Sequence, residues 1–130
     1  MSSEHQQEVQ YFTNERMKDL PFSEAVRVGN MLYLSGQLGM NSSMKLVPGG
    51  IAAETRQAME NIKATLERHG SSLDHVIKVT VMLADISEWG EVNDVYVQFF
   101  SKHLPARSAL GANGLAMGAR VEIECIAVLK

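Results

Sequence analysis

From Val121 to Val128 the chain alternates with a period of two, and that alternation constrains the fold more than any other stretch. Val121, Ile123, Cys125 and Ala127 make one purely apolar side of a strand, while Glu122, Glu124, Ile126 and Val128 make a mixed one. His75 to Ala84 reads as a second strand of the same kind, with Ile77, Val79, Val81 and Leu83 on its apolar face and Val76, Lys78, Thr80 and Met82 on the other. The cover for the apolar sides comes from two amphipathic helical patterns. Ile51, Thr55, Met59, Ile62 and Leu66 recur at helical spacing, with Glu54, Arg56, Glu60, Lys63 and Glu67 facing out and Gly70 as a stop after His69. Asp85-Ile86-Ser87-Glu88 has the form of a capping box, and Trp89, Val92, Val95 or Tyr96, and Phe99 form the stripe of a second helix ending near His103.

Pro105 prevents that helix from continuing, so Arg107 to Leu110 reads as a short strand and Gly111 to Gly118 as a glycine-punctuated loop. Ala25 to Val28 and Met31 to Ser35 flank Gly29-Asn30, residue types suited to a two-residue hairpin, and a further strand can begin at Val9 after a mobile tail over residues 1–8. The sum is an α+β chain: one mixed six-stranded sheet with two helices on one face. With 130 residues, 45% of them hydrophobic, residues 1–130 make a single domain. The mixed sheet face is too apolar for water and too polar for a closed core, so association through it is the expected solution.

Several function classes have no support. A formal charge of −3 with acids and bases interspersed gives no footprint for nucleic acid or an anionic membrane. No stretch reaches transmembrane length and the N-terminus has no targeting character, which makes the cytoplasm the expected location. One cysteine excludes an internal disulfide, His5, His69, His75 and His103 have no metal-ligand spacing, and no glycine-rich phosphate loop follows a strand, so neither metal nor cofactor is expected.

The chemistry concentrates in Leu104-Pro105-Ala106-Arg107-Ser108 and Val121-Glu122-Ile123-Glu124, which set one cation and one carboxylate in otherwise apolar strands. A guanidinium half-buried in a strand needs an anion, and a small carboxylate fits its fork bidentately, with Glu122 placed to handle a proton or a water beside it. The alternative is a structural ion pair of Arg107 with Glu122 across the sheet.

These blocks, together with Val28-Gly29-Asn30-Met31 leading to Leu34-Ser35-Gly36-Gln37, Thr55-Arg56-Gln57-Ala58-Met59-Glu60-Asn61-Ile62 and Val92-Asn93-Asp94-Val95-Tyr96, resemble the RidA (YjgF) family of reactive-intermediate deaminases from about Leu20 to the C-terminus. The resemblance implies a chorismate-mutase-like subunit assembled as a homotrimer with sites at the interfaces, hydrolysing enamines and imines of 2-oxo acids such as 2-aminoacrylate and 2-iminobutyrate to the 2-oxo acid and ammonia, without metal or cofactor. It places Arg107 on the substrate carboxylate and Glu122 beside the attacking water. Ser35 and Gly36 match the site wall, the other reading being a strand-end bulge, and Asn93 matches a polar site residue, the other reading being a solvated position near a helix start. Ala109 stands where some members carry cysteine, and its backbone N–H could still bind the carboxylate. Phe22 follows Pro21 where many members have tyrosine, so a hydroxyl is absent, and Leu20 replaces a frequent glycine. Tyr33 and Trp89 read as core or subunit packing, and Cys125 as an inert core residue. Two other functions stay open: a non-catalytic trimer that binds 2-oxo acids or acts as a chaperone, favoured by loss of the tyrosine hydroxyl, and an RNA-directed ribonuclease, against which the charge argues.

Overall fold

A computed structural model describes residues 8–130, and the expected mobile tail therefore lies outside the described residues except for Glu8. Six strands, β1 (Val9–Phe12), β2 (Ala25–Val28), β3 (Met31–Leu38), β4 (Val76–Leu83), β5 (Ala106–Gly111) and β6 (Val121–Val128), form one sheet in the order β1-β2-β3-β6-β4-β5. Neighbours are antiparallel except β4 and β5, which run parallel because the helix α2 (Trp89–Tyr96) carries the chain across between them. The other helix, α1 (Gly50–Arg68), lies beside α2, and both pack into one cluster with the inward residues of β3, β4 and β6. The opposite sheet face carries Tyr33, Ile77 and Leu110, each 43–45% exposed, among Met82, Ile126 and Val128. Tyr33 is thus a residue of the open face and not of the core. Among the described residues no helix is long and apolar enough to cross a membrane.

The period-two reading of β6 holds along its whole length: Val121, Ile123, Cys125 and Ala127 are buried at 0–4% exposure. The reading of β4 needs a correction at its start. Val76 is buried and Ile77 is 45% exposed, the reverse of a strict alternation, because the pairing with β6 slips between Val76 and Lys78 and is in phase from Lys78 onward. On α1 the stripe from Ile51 to Leu66 is buried as its spacing predicts, but Glu54 is buried too and does not face out. Its carboxylate accepts the backbone N–H of Arg120 at 2.9 Å, so the first turn of α1 closes the entry to β6. Gly39 allows this approach, since a Cβ there would meet the backbone oxygen of Glu54 at 2.5 Å.

The second helix also departs from its expectation. Asp85 accepts from the Ser87 N–H at 3.0 Å, but Glu88 does not complete a capping box; its carboxylate pairs with the Arg120 guanidinium. The α-helix ends at Tyr96 and a 3-10 turn follows over Val97–Phe99, so the chain leaves the helix before His103. Trp89 sits 48% exposed at the first turn and not in the core.

One long-range cluster has no local sequence signal. Glu24, 2% exposed, accepts from Asn14 at 2.6 Å and from Arg68 at 2.5 Å and meets His69 Nε2 at 2.7 Å, while Phe12 stacks on the His69 ring at 4.4 Å. It fastens the β1–β2 connection to the end of α1. Burial pushes the Glu24 carboxyl up, but the hydrogen bond with His69, the charge of Arg68 and the hydrogen bond from Asn14 together outweigh it and leave the carboxyl below its ordinary 4.5. A depressed folded value means stability that is present above the unfolded value and lost as pH falls through the folded one. Glu24→Gln is therefore expected to lower stability at pH 7 by on the order of 2 kcal/mol, with the gap to the native chain closing as pH falls below 4.5. Urea midpoints of both chains across that range check it; a gap that stays constant with pH would show that the charge of Glu24 is not what matters.

Candidate active site

Arg107 is placed by its register. It pairs in parallel with Val79, whose side chain is buried under the helices, so Arg107 also points to the helix side, at the β5 edge beside α2. Three residues of α2 meet it there. Asn93 Oδ1 accepts from Arg107 Nη2 at 2.7 Å, and the guanidinium carbon lies over the rings of Tyr96 at 4.8 Å and Trp89 at 5.6 Å. Among the described residues no carboxylate pairs with Arg107, which leaves a half-buried cation whose hydrogen-bonded partner is a neutral amide. A cavity of about 280 Å³ opens over it, walled by Asn93, Tyr96, Val97, Leu104 and Pro105. Ala109, in register with Val81, shares this side and packs against the edge of the core.

Glu122 lies elsewhere. It pairs with Met82 on β4, so its side chain points to the open face of the sheet. Burial, with the neighbouring charge of Glu124 second, pushes its carboxyl above the ordinary 4.5. Next to it β3 slips by one residue between Leu34 and Gln37, and Ser35-Gly36 form this bulge inside the strand, not at its end. The bulge has a function in packing: any Cβ on Gly36 would collide with the Glu122 carboxylate, so glycine is what lets the carboxylate lie against the β3 backbone. Ser35 donates its hydroxyl to the Ser23 carbonyl at 2.6 Å, tying down the segment that ends in Phe22, whose ring is 49% exposed.

The site residues expected from sequence thus fall into two groups on opposite sides of the sheet: Arg107, Asn93 and Ala109 on one, and Glu122, Gly36 and Ser35 on the other, with Phe22 in the segment that Ser35 ties down. An Arg107–Glu122 ion pair does not form within the chain. Asn93 is no solvated helix-start residue; it holds the arginine. Sequence reasoning missed the two aromatic neighbours of Arg107, although Trp89, Asn93 and Tyr96 share one face of α2 at the i, i+4, i+7 spacing. Cys125 is buried, and burial together with the charge of Glu124 pushes its thiol up to about 12, which leaves it unreactive. Among the described residues no group of three His, Cys, Asp or Glu side chains is placed to hold a metal ion.

Known proteins share this arrangement of elements. The profile of the family described as Endoribonuclease L-PSP matches residues 13–129. A bovine (Bos taurus) protein named 2-iminobutanoate/2-iminopropanoate deaminase is 50% identical over 109 residues, 83% of this chain and 80% of the bovine one. The crystal structure of the yeast protein YEO7 superposes with a TM-score of 0.89 at 38% identity, covering 95% of this chain and all (100%) of the other. RidA from the Antarctic bacterium Psychrobacter sp. PAMC 21119 gives 0.85 at 39% identity, covering 92% and 99%. A profile match across nearly the whole described chain, relatives at this identity and the mixed sheet with its two helices all agree with the motif blocks around Arg107 and Glu122: the chain belongs to the Endoribonuclease L-PSP family, among its RidA (YjgF) members.

Proposed function

We propose that the chain hydrolyses 2-imino acids such as 2-iminobutanoate and 2-iminopropanoate, with their enamine tautomers, to 2-oxo acids and ammonia, in a chorismate-mutase-like homotrimer of the cytoplasm. Relatives 44–50% identical over 83% of this chain carry the name of that deaminase. The observation that carries the reading is the standing positive charge of Arg107 in an apolar cavity, which suits one small carboxylate. Two charge-assisted hydrogen bonds to that carboxylate are each worth about 1.5–3 kcal/mol and select imino acids over uncharged imines.

The reaction needs little more than position. A water oxygen bonds to the C=N carbon, Glu122 takes a proton from that water, and the imine nitrogen gains one, giving a carbinolamine. Glu122 then carries the hydroxyl proton of this adduct to its nitrogen, and collapse forms the C=O bond of the 2-oxo acid as the C–N bond breaks and ammonia leaves. Ala109 offers its backbone N–H to the carboxylate, and Phe22, Ser35 and Gly36 wall the water side. Because Arg107 and Glu122 point to opposite sides of one sheet, a site containing both takes Arg107 from one protomer and Glu122 from the next. Joining two different surfaces is a heterologous contact, and such contacts make a ring where the rotation between protomers closes, as it does after three in a trimer. The partly apolar open face supports burial in that contact. A ribonuclease role fits less well, since a charge of −3 gives no path for a phosphate backbone.

The test is a trapping assay: a threonine dehydratase generates 2-iminobutanoate, semicarbazide captures what remains, and the chain is expected to suppress semicarbazone formation. No suppression, with 2-oxobutanoate still bound, would replace the reading by the non-catalytic binding trimer that the missing hydroxyl at Phe22 favours. The same assay, corrected for uncatalysed hydrolysis, gives the pH dependence. With Glu122 as the base, activity falls as pH drops through a value above 4.5, and Glu124→Gln moves that limb down because a like charge is gone. A limb indifferent to Glu124→Gln would assign the titration to another group.

A further inference from the structure

The surroundings of Arg107 differ from those of an ordinary half-buried arginine. Such a cation is usually stabilised by a carboxylate, which also neutralises it. Here Asn93 gives an acceptor without charge at 2.7 Å, and two ring faces, Tyr96 at 4.8 Å and Trp89 at 5.6 Å, give electrostatic attraction without charge. The Tyr96 hydroxyl is buried and has no hydrogen-bond partner among the described residues, so this residue meets the arginine through its ring and not through its oxygen. All three come from one face of the eight-residue α2, so their mutual spacing is fixed by helix geometry.

We propose that Trp89, Asn93 and Tyr96 form a charge-neutral cradle that fixes the direction of the Arg107 guanidinium while keeping its full positive charge for the ligand, which makes them positioning residues for recognition of a monocarboxylate. The inference rests on the function proposed above and adds to it the device that sets carboxylate affinity. A guanidinium has five N–H donors and the cradle engages one of them, so the remaining donors are available to a carboxylate. Trp89, itself half-exposed, keeps its ring 5.6 Å from the guanidinium carbon and so takes up part of the cation's surface without neutralising it.

Two substitutions separate this from a packing role. Trp89→Leu keeps an apolar residue but loses the ring face; it is expected to raise KM for 2-iminobutanoate about fivefold to tenfold with kcat within about twofold, and Trp89→Phe is expected to recover most of the loss. Asn93→Asp is nearly isosteric but places an anion on Arg107; it is expected to raise KM about a hundredfold, to weaken calorimetric binding of 2-oxobutanoate in parallel, and to leave the thermal midpoint unchanged or higher. A native chain that hydrolyses the imine while both variants keep the native KM would overturn the cradle and leave the function standing. A native chain without turnover removes the function, and the binding of 2-oxobutanoate then decides the cradle by itself: unchanged binding in Asn93→Asp overturns it, and lost binding supports it. A fall in kcat alone, with KM unchanged, would also overturn it.

Discussion

Arg107→Ala is expected to lower kcat/KM for 2-iminobutanoate by about a hundredfold or more while leaving the urea midpoint within roughly 1 kcal/mol of native. The activity term follows from what the ligand loses. Two charge-assisted hydrogen bonds at about 1.5–3 kcal/mol each amount to two or more factors of ten in rate, since each factor of ten is about 1.4 kcal/mol. The stability term follows from what the fold loses, which is small. Arg107 makes no ion pair among the described residues, sits at a sheet edge, and gives up one hydrogen bond and two ring contacts at a half-exposed position. The Asn93 amide that remains can hydrogen-bond to water. Activity in the trapping assay, denaturation, and sedimentation of the variant check the three parts together. A variant that is inactive because it has come apart into monomers would show that Arg107 serves assembly, and the carboxylate assignment would fall.

How far the sequence alone could go depends on whether a feature is local. The alternation of Val121 to Val128 and the stripe from Ile51 to Leu66 are properties of one element meeting one core, and both appear in the fold as their periods imply. Pro105 marks a place where a helix cannot continue, but the helical stretch already stops at Phe99, ahead of the proline. Apart from the early end of α2 and the exposure of Trp89, the failures are matters of register or long-range pairing. Val76 and Ile77 exchange faces because β6 pairs with β4 through an irregularity that no residue of β4 announces. Glu54 turns inward because an N–H of Arg120, far along the chain, needs an acceptor. Glu24 is buried among Asn14, Arg68 and His69, which are brought together only by the sheet and α1. For the site, alternation correctly puts Glu122 on the mixed face. It is silent on Arg107, because Ala106 to Gly111 carries no pattern of its own and takes its facing from the parallel register with Val79 and Val81. Types and motif blocks single out both residues, but only the register shows that they point apart.

That divergence makes the second large effect one of mixing. Arg107→Ala chains and Glu122→Gln chains are each expected to be inactive alone, and to regain activity when unfolded together and refolded as one population. A site drawing its arginine from one protomer and its glutamate from the next is whole wherever a Glu122→Gln chain supplies the arginine side to an Arg107→Ala chain supplying the glutamate side. With equal amounts and random assembly into closed rings, about a quarter of the sites meet that condition, so about a quarter of native activity is expected. The sheet explains why no other arrangement gives this result. A site within one chain would need Arg107 and Glu122 on one side of β4, and the pairings Arg107 with Val79 and Glu122 with Met82 place them on opposite sides. A mixture as inactive as its components, although sedimentation shows mixed assemblies, would mean that the two residues do not act in one shared site. Recovery would tie the chemistry to assembly: dilution that separates protomers would then abolish turnover without unfolding any of them, because each protomer holds only one half of the charge arrangement that the reaction uses.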